Sequence, residues 1–145
     1  MKKVIFICFI LALVVSCATT LAPEDLKKVQ SRSFTQDCTS VKKATVSRFI
    51  ENGYQIDKND EKLGYISATK DIASVGWANA LAGYSGGKFQ VNLMFEESAN
   101  SGCNTKMILT SLQEFKDGFS KNTRGGVIKE AKQYNKIYSE IAARL

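Results

Sequence analysis

The chain has 145 residues, of which 44% are hydrophobic, 10% aromatic and 23% charged, the balance of one globular domain rather than of a disordered protein. Its formal net charge is +6 and it contains no histidine, which removes imidazole as general base, metal ligand or pH switch, and with it most familiar hydrolase and zinc chemistries.

Met1-Lys2-Lys3 is a short positive segment, and residues 4–15 form an unbroken run of twelve apolar residues ending at Ser16. As a helix this run of twelve rises only about 18 Å, short of the roughly 30 Å hydrocarbon core, so it reads as a secretory signal peptide and not as a spanning anchor. Val14-Val15-Ser16-Cys17 resembles the bacterial lipobox: an aliphatic residue three positions before the cysteine, a small residue next to it, then the cysteine. The resemblance implies that residues 1–16 are a lipoprotein signal peptide that is cleaved, and that Cys17 becomes the lipidated first residue, carrying palmitate-like acyl chains that anchor the protein to a membrane. An ordinary signal peptide with a coincidental cysteine is the alternative. Ala18, where inner-membrane lipoproteins of enterobacteria tend to have aspartate, implies the periplasmic face of the outer membrane, with the inner membrane or the cell surface as the alternatives.

Residues 17–30 read as a lipidated N-terminus and tether, polar and containing the sole proline, Pro23; a helical turn starting there fits Pro followed by Glu24 and Asp25. Residues 31–145 read as a single α+β domain. Its first strand is expected near 29–35. Asp37, Thr39 and Ser40 offer capping oxygens ahead of Val41, Ala44, Thr45, Phe49 and Ile50, an apolar stripe at helical spacing that Gly53 terminates. Residues 54–58 and 64–70 follow as a strand pair. Residues 71–87 are rich in Gly, Ala and Ser and carry Trp77, Leu81 and Tyr84; composition leaves open a short helix over 74–82 or a mobile loop. Residues 88–96 alternate with Phe89, Val91, Leu93 and Phe95 on one face, and residues 106–115 form a second strand that should pair with them antiparallel. A polar loop through Gly118 and Arg124 to Gly126 then leads to a closing helix of about twenty residues, carrying Val127, Ala131, Tyr134, Tyr138, Ile141 and Leu145. The element order β-α-β-β-β-β-α predicts an antiparallel sheet of about four to five strands with two helices on one face.

Of the four cysteines, Cys8 lies in the leader and Cys17 is the lipid site. Cys38 and Cys103 remain, and in an exported chain such a pair is expected to form a disulfide, two buried free thiols being the alternative.

Arg32-Ser33-Phe34, Gly53-Tyr54-Gln55-Ile56-Asp57, the stretch from Leu63-Gly64-Tyr65-Ile66 to Ser67-Ala68-Thr69-Lys70, the small-residue insert and Ile137-Tyr138 together resemble a family of small, largely uncharacterised Gram-negative lipoproteins, similar in layout to the lipoprotein subunit of the outer-membrane β-barrel assembly machine. The likeness covers residues 31–145. It implies fold and location, brings no catalytic residues, and is departed from in the pair Cys38 and Cys103.

Reactive constellations are sparse. Ser-x-x-Lys, a possible nucleophile and base, occurs three times, at Ser40 and Lys43, Ser67 and Lys70, and Ser85 and Lys88, where chance gives about one or two matches, and no Lys-Thr-Gly or Ser-Asp-Asn accompanies them. In a strand, Ser67 and Lys70 point to opposite faces. The stretch from Gly83 to Lys88 fails as a phosphate loop, because Ala82 replaces the first glycine and Phe89 the metal-binding hydroxyl. Asp57, Asn59 and Glu61 alternate like calcium ligands, but Lys62 stands at the obligatory glycine, so they read as turn residues. Removing Lys2 and Lys3 with the leader leaves 18 basic against 14 acidic residues, dispersed in a way that suggests a solvated surface, or weak attraction to anionic lipid or cell-wall polymers, and not nucleic acid. The expectation is a non-enzymatic, lipid-anchored envelope domain without metal or cofactor that binds another envelope protein, with Trp77, Leu81 and Tyr84 as contact unless they pack over the end of the sheet; a small-ligand (amphiphile) or hydrolase-inhibitor module is the alternative.

Overall fold

The computed structural model describes residues 21–72, 84–99, 101–117 and 120–145. The chain runs α1 (Pro23–Gln30), β1 (Ser31–Phe34), α2 (Cys38–Glu51), β2 (Gln55–Asp60), β3 (Tyr65–Ile72), β4 (Tyr84–Glu97), β5 (Cys103–Asp117), β6 (Ser120–Val127) and α3 (Ala131–Ala142). All strand pairs are antiparallel, in the order β1-β5-β4-β3-β2 with β6 also on β5. The expected α+β class and the antiparallel pairing of β4 with β5 are thus present, with six strands and three helices among the described residues.

β5 organises the sheet. One edge pairs with β4 along its length; the other takes β1 at residues 103–106 and β6 at residues 110–117, so two short strands share one edge in series. Between them lie Met107, Ile108 and Leu109. Ile128 N–H donates to Leu109 O (2.9 Å), and the Tyr134 hydroxyl fills the remaining gap, donating to Ile128 O (2.9 Å) and accepting from Leu109 N–H (3.4 Å).

Strand alternation sends Ile66 and Ala68, Val91, Leu93 and Phe95, and Cys103, Thr105, Met107 and Leu109 to one face, where Val41, Ala44, Thr45 and Phe49 of α2 and Tyr134, Ile137, Tyr138 and Ile141 of α3 cover them. Both helices bury residues at i, i+3 or i+4 spacing. The opposite face is open, with Met94, Ile108 and Val127 partly exposed among polar neighbours.

Local signals in α2 act as expected. Asp37 caps the helix, its Oδ1 accepting from Ser40 N–H (2.9 Å) and its Oδ2 from Ser40 Oγ (2.7 Å), and these bonds hold its carboxyl below the usual range. Asn52 ends the helix and Gly53 turns the chain at φ +75°.

Three expectations are corrected. Residues 23–30 of the tether form α1, longer than one turn, with Leu26 and Val29 packed on the core, because the run from Pro23 places these two apolar residues toward α3. The polar loop through Gly118 and Arg124 to Gly126 gives way to β6: residues 120–127 lack apolar alternation in the sequence, and their backbone pairs with the edge of β5. That pairing holds Val127 in the sheet, so the closing helix begins at Ala131 and has 12 residues.

Gly64, in the β2–β3 turn, has φ +59°, and a Cβ there would lie 2.5 Å from Phe95 O, whose own N–H donates to Gly64 O (2.8 Å). Gly64→Ala is therefore expected to cost about 1–3 kcal/mol from left-handed strain and the backbone clash, measurable as a lowered urea midpoint with unchanged m-value.

Candidate functional site

The sequence-predicted contact residues fall largely beyond the described structure. Trp77 and Leu81 lie outside the described residues, as does Cys17, and for Tyr84 only the backbone is described, opposite Phe115 at the start of β4. What the structure supplies is the frame that carries the insert. β3 ends at Ile72, opposite Gly87, whereas β4 begins at Tyr84, and there its partner is β5. Beyond Ile72 the stretches 84–86, 114–117 and 120–123 continue as a three-stranded ribbon of β4, β5 and β6. Residues 73–83 are joined to this ribbon at one end and to β3 at the other.

Of the three Ser/Lys pairs, Ser67 and Lys70 separate. Ser40 is engaged by its cap. Ser67 is buried on the open-face side, accepting from Gln90 Nε2 (3.4 Å), while Lys70 reaches the other side, donating to Asn52 O (2.6 Å) and lying 5.5 Å from the Tyr54 ring centre. The Ser85 side chain lies outside the described residues. Asp57 sits at the β2 bulge and accepts from Thr69 Oγ1 (3.1 Å) of β3, so Asp57 and Asn59 are strand residues and only Glu61 lies in the expected turn, because backbone pairing with β3 extends β2 to Asp60. Among the described residues no three His, Cys, Asp or Glu side chains come together as a metal site.

A concavity that the sequence reading missed lies between α2 and the β2 side of the sheet. Thr39, Lys42, Lys43, Val46 and Ser47 line one wall and Asn59, Glu61 and Glu97 the other, around about 570 Å³. Lys42 Nζ donates to Glu61 O (3.5 Å) and lies 5.9 Å from the Phe95 ring centre, so one lysine is committed to the wall. The signal was present in the chain: residues 39, 42, 43, 46 and 47 are spaced as one helical face, the one opposite the buried stripe. Ammonium groups facing carboxylates across a cleft suit a zwitterionic or mixed-charge ligand better than a hydrocarbon.

The space between sheet and helices is filled by Phe49, Tyr134, Tyr138, Leu93, Met107 and Ile141, each under 2% exposed, so an amphiphile there would have to displace core side chains. The phenols that titrate abnormally are structural: burial and Glu140 raise Tyr54, and burial pushes Tyr138 up to about 12 against the opposing effects of Thr105 and Arg32.

Comparison with known protein families and curated proteins finds no match. Cys38 and Cys103 form a disulfide, joining the first residue of α2 to the first residue of β5 across a sequence separation of 65. No described helix is long and apolar enough to cross a membrane.

Proposed function

We propose that this protein is a lipid-anchored, non-enzymatic domain held at the periplasmic face of the outer membrane, where it binds another envelope protein. The observation that carries the reading is the Cys38–Cys103 disulfide in a chain that also carries the lipobox-like Val14-Val15-Ser16-Cys17. A structural disulfide is stable in an oxidising compartment and rare in the cytosol, and a lipobox-like junction is what directs acylation of an exported chain. Two or three acyl chains hold a soluble domain on a bilayer essentially permanently, since each buried methylene contributes about 0.8 kcal/mol. The absence of histidine, the engagement of Ser40 by Asp37 and the separation of Ser67 from Lys70 favour binding over catalysis. The composition of residues 71–87, with Trp77, Leu81 and Tyr84 among small residues, favours them as the partner contact, because aromatic residues are enriched at protein interfaces.

The test is the intact mass of the protein recovered from bacterial membranes, followed by cross-linking in intact envelopes. The expected chain begins at Cys17 and carries acyl groups, and Trp77→Ala abolishes its main cross-link without lowering its melting temperature. A chain with an unmodified Cys17 would sink the anchor; a cross-link unaffected by Trp77→Ala would remove the insert as contact. The small-ligand alternative is favoured by the α2–β2 cleft, whose volume falls within the usual range of ligand pockets although its lining is more polar than most. Native mass spectrometry showing a retained small molecule, lost in Lys43→Glu, would support that alternative over the protein partner.

A further inference from the structure

The described chain starts a short distance from the proposed lipid. Leu21 N–H donates to Lys129 O (3.3 Å), just before Pro23 opens α1, and α1 is seated by Leu26 and Val29 on the core and by Gln30, buried, whose side-chain amide donates to the Tyr134 hydroxyl (3.4 Å). Four peptide steps separate Cys17 from Leu21, a span of at most about 14 Å when fully extended. An acyl anchor on Cys17 thus keeps the α1 side of the domain within that distance of the headgroups.

Charge is concentrated on the same side. Lys27, Lys28, Arg32, Lys129, Lys132 and Lys136 are all exposed there, against the three carboxylates Glu24, Asp25 and Glu130, and Asp25 is paired with Lys28 (3.2 Å). The rest of the mature chain has 12 basic and 11 acidic residues, so nearly all of the surplus sits beside the point where the tether emerges. Arg32 belongs to this surface through α3: its Nη2 donates to Asn135 Oδ1 (3.2 Å) and its guanidinium lies 5.2 Å from the Tyr138 ring centre. At the far end of α3, Glu140 and Arg144 turn instead to Asn52 and Glu51 of the α2 segment.

We propose that the surface formed by α1, Arg32 and the first two turns of α3 lies against the anionic headgroups of the bilayer, fixing the orientation of the domain. The proposal rests on acylation of Cys17. Because α1 packs on β1 and β5 while β2 is the opposite edge of the sheet, this orientation turns β2 and the α2–β2 cleft away from the membrane. Lysines within a Debye length of an anionic surface are attracted to it, and salt screens the attraction.

The acylated full-length mature protein, reconstituted on vesicles of phosphatidylethanolamine with phosphatidylglycerol, is labelled with an amine-reactive ester and mapped by mass spectrometry. Lys27, Lys28, Lys129, Lys132 and Lys136 are expected to react about threefold or more slowly than on phosphatidylcholine vesicles, while Lys42, Lys43 and Lys62 react equally on both. In the variant K129Q/K132Q/K136Q, Lys27 and Lys28 should lose their protection with the melting temperature unchanged. Equal labelling of the two lysine groups on an acylated, vesicle-bound protein would overturn the orientation and leave the anchor standing. Equal protection on phosphatidylcholine, or protection retained in the triple variant, would overturn the role of charge. A chain whose mass carries no acyl group would overturn the anchor, and this orientation with it.

Discussion

Replacing Cys38 and Cys103 together by alanine is expected to lower the unfolding free energy by about 4 kcal/mol. The bond closes a loop with a sequence separation of 65, and cross-linking a loop of that length restricts the unfolded chain by roughly that amount. For a domain of this size the loss corresponds to a drop in melting temperature of roughly 10–20 °C. Its location makes the effect cooperative with the sheet. β1 pairs with the same end of β5, Phe34 standing opposite Cys103, so the bond and the β1–β5 ladder close one corner around residues 35–37. Both cysteines are buried, which argues that a reductant acts on the native protein slowly and on the unfolded protein fast. Urea unfolding of the wild type with and without reductant, beside the double variant, checks the figure. A loss below about 1 kcal/mol would mean that the reduced denatured chain keeps the corner closed through residual structure. Alkylation of the non-reduced, denatured protein should label neither cysteine.

The fold was legible where one segment carries its own signal. The Asp37 cap, the stripe of Val41, Ala44, Thr45 and Phe49, and Gly53 delimit α2 from local chemistry alone, and the alternation of Phe89, Val91, Leu93 and Phe95 fixes which face of β4 is covered. What was not legible depends on distant partners. β6 exists because β5 runs past β1 and leaves an edge with unpaired backbone groups, a fact about residues 110–117 that residues 120–127 do not state. α1 is secured by Gln30 and Tyr134, which are 104 residues apart. The candidate contact was legible only as composition, since Gly, Ala and Ser around Trp77 define an insert without defining its conformation. The α2–β2 cleft could have been read from helical spacing, but only its α2 wall; Asn59, Glu61 and Glu97 join it through the sheet.

The second large effect is expected at Tyr138. Its ring is fully buried, beside Phe34 (centroids 6.3 Å apart) and under the Arg32 guanidinium, and its hydroxyl donates to Gln30 O (2.6 Å) with Thr105 Oγ1 at 3.4 Å. Thr105 Oγ1 in turn donates to Arg32 O (2.9 Å), so one phenol supports the backbone at the junction of α1 and β1. Tyr138→Ala should cost about 3–5 kcal/mol through lost burial and a residual cavity, and Tyr138→Phe about 1–3 kcal/mol because Gln30 O loses its donor in a dry site. The phenol also makes stability depend on pH. Burial raises its pKa from 10.0 to about 12, so the folded state holds the proton after the unfolded chain has released it. Its contribution is therefore complete below pH 10 and is lost as pH rises from 10 to 12, by about 3 kcal/mol in all. Tyr54, also raised by burial, adds a decline of the same sign. Urea unfolding of wild type and Tyr138→Phe at pH 8, 10 and 11 separates the two parts: the variant should start lower and fall less steeply. Parallel slopes in the two proteins would mean that the alkaline loss arises elsewhere and that the buried hydroxyl is not what the junction of α1 and β1 depends on.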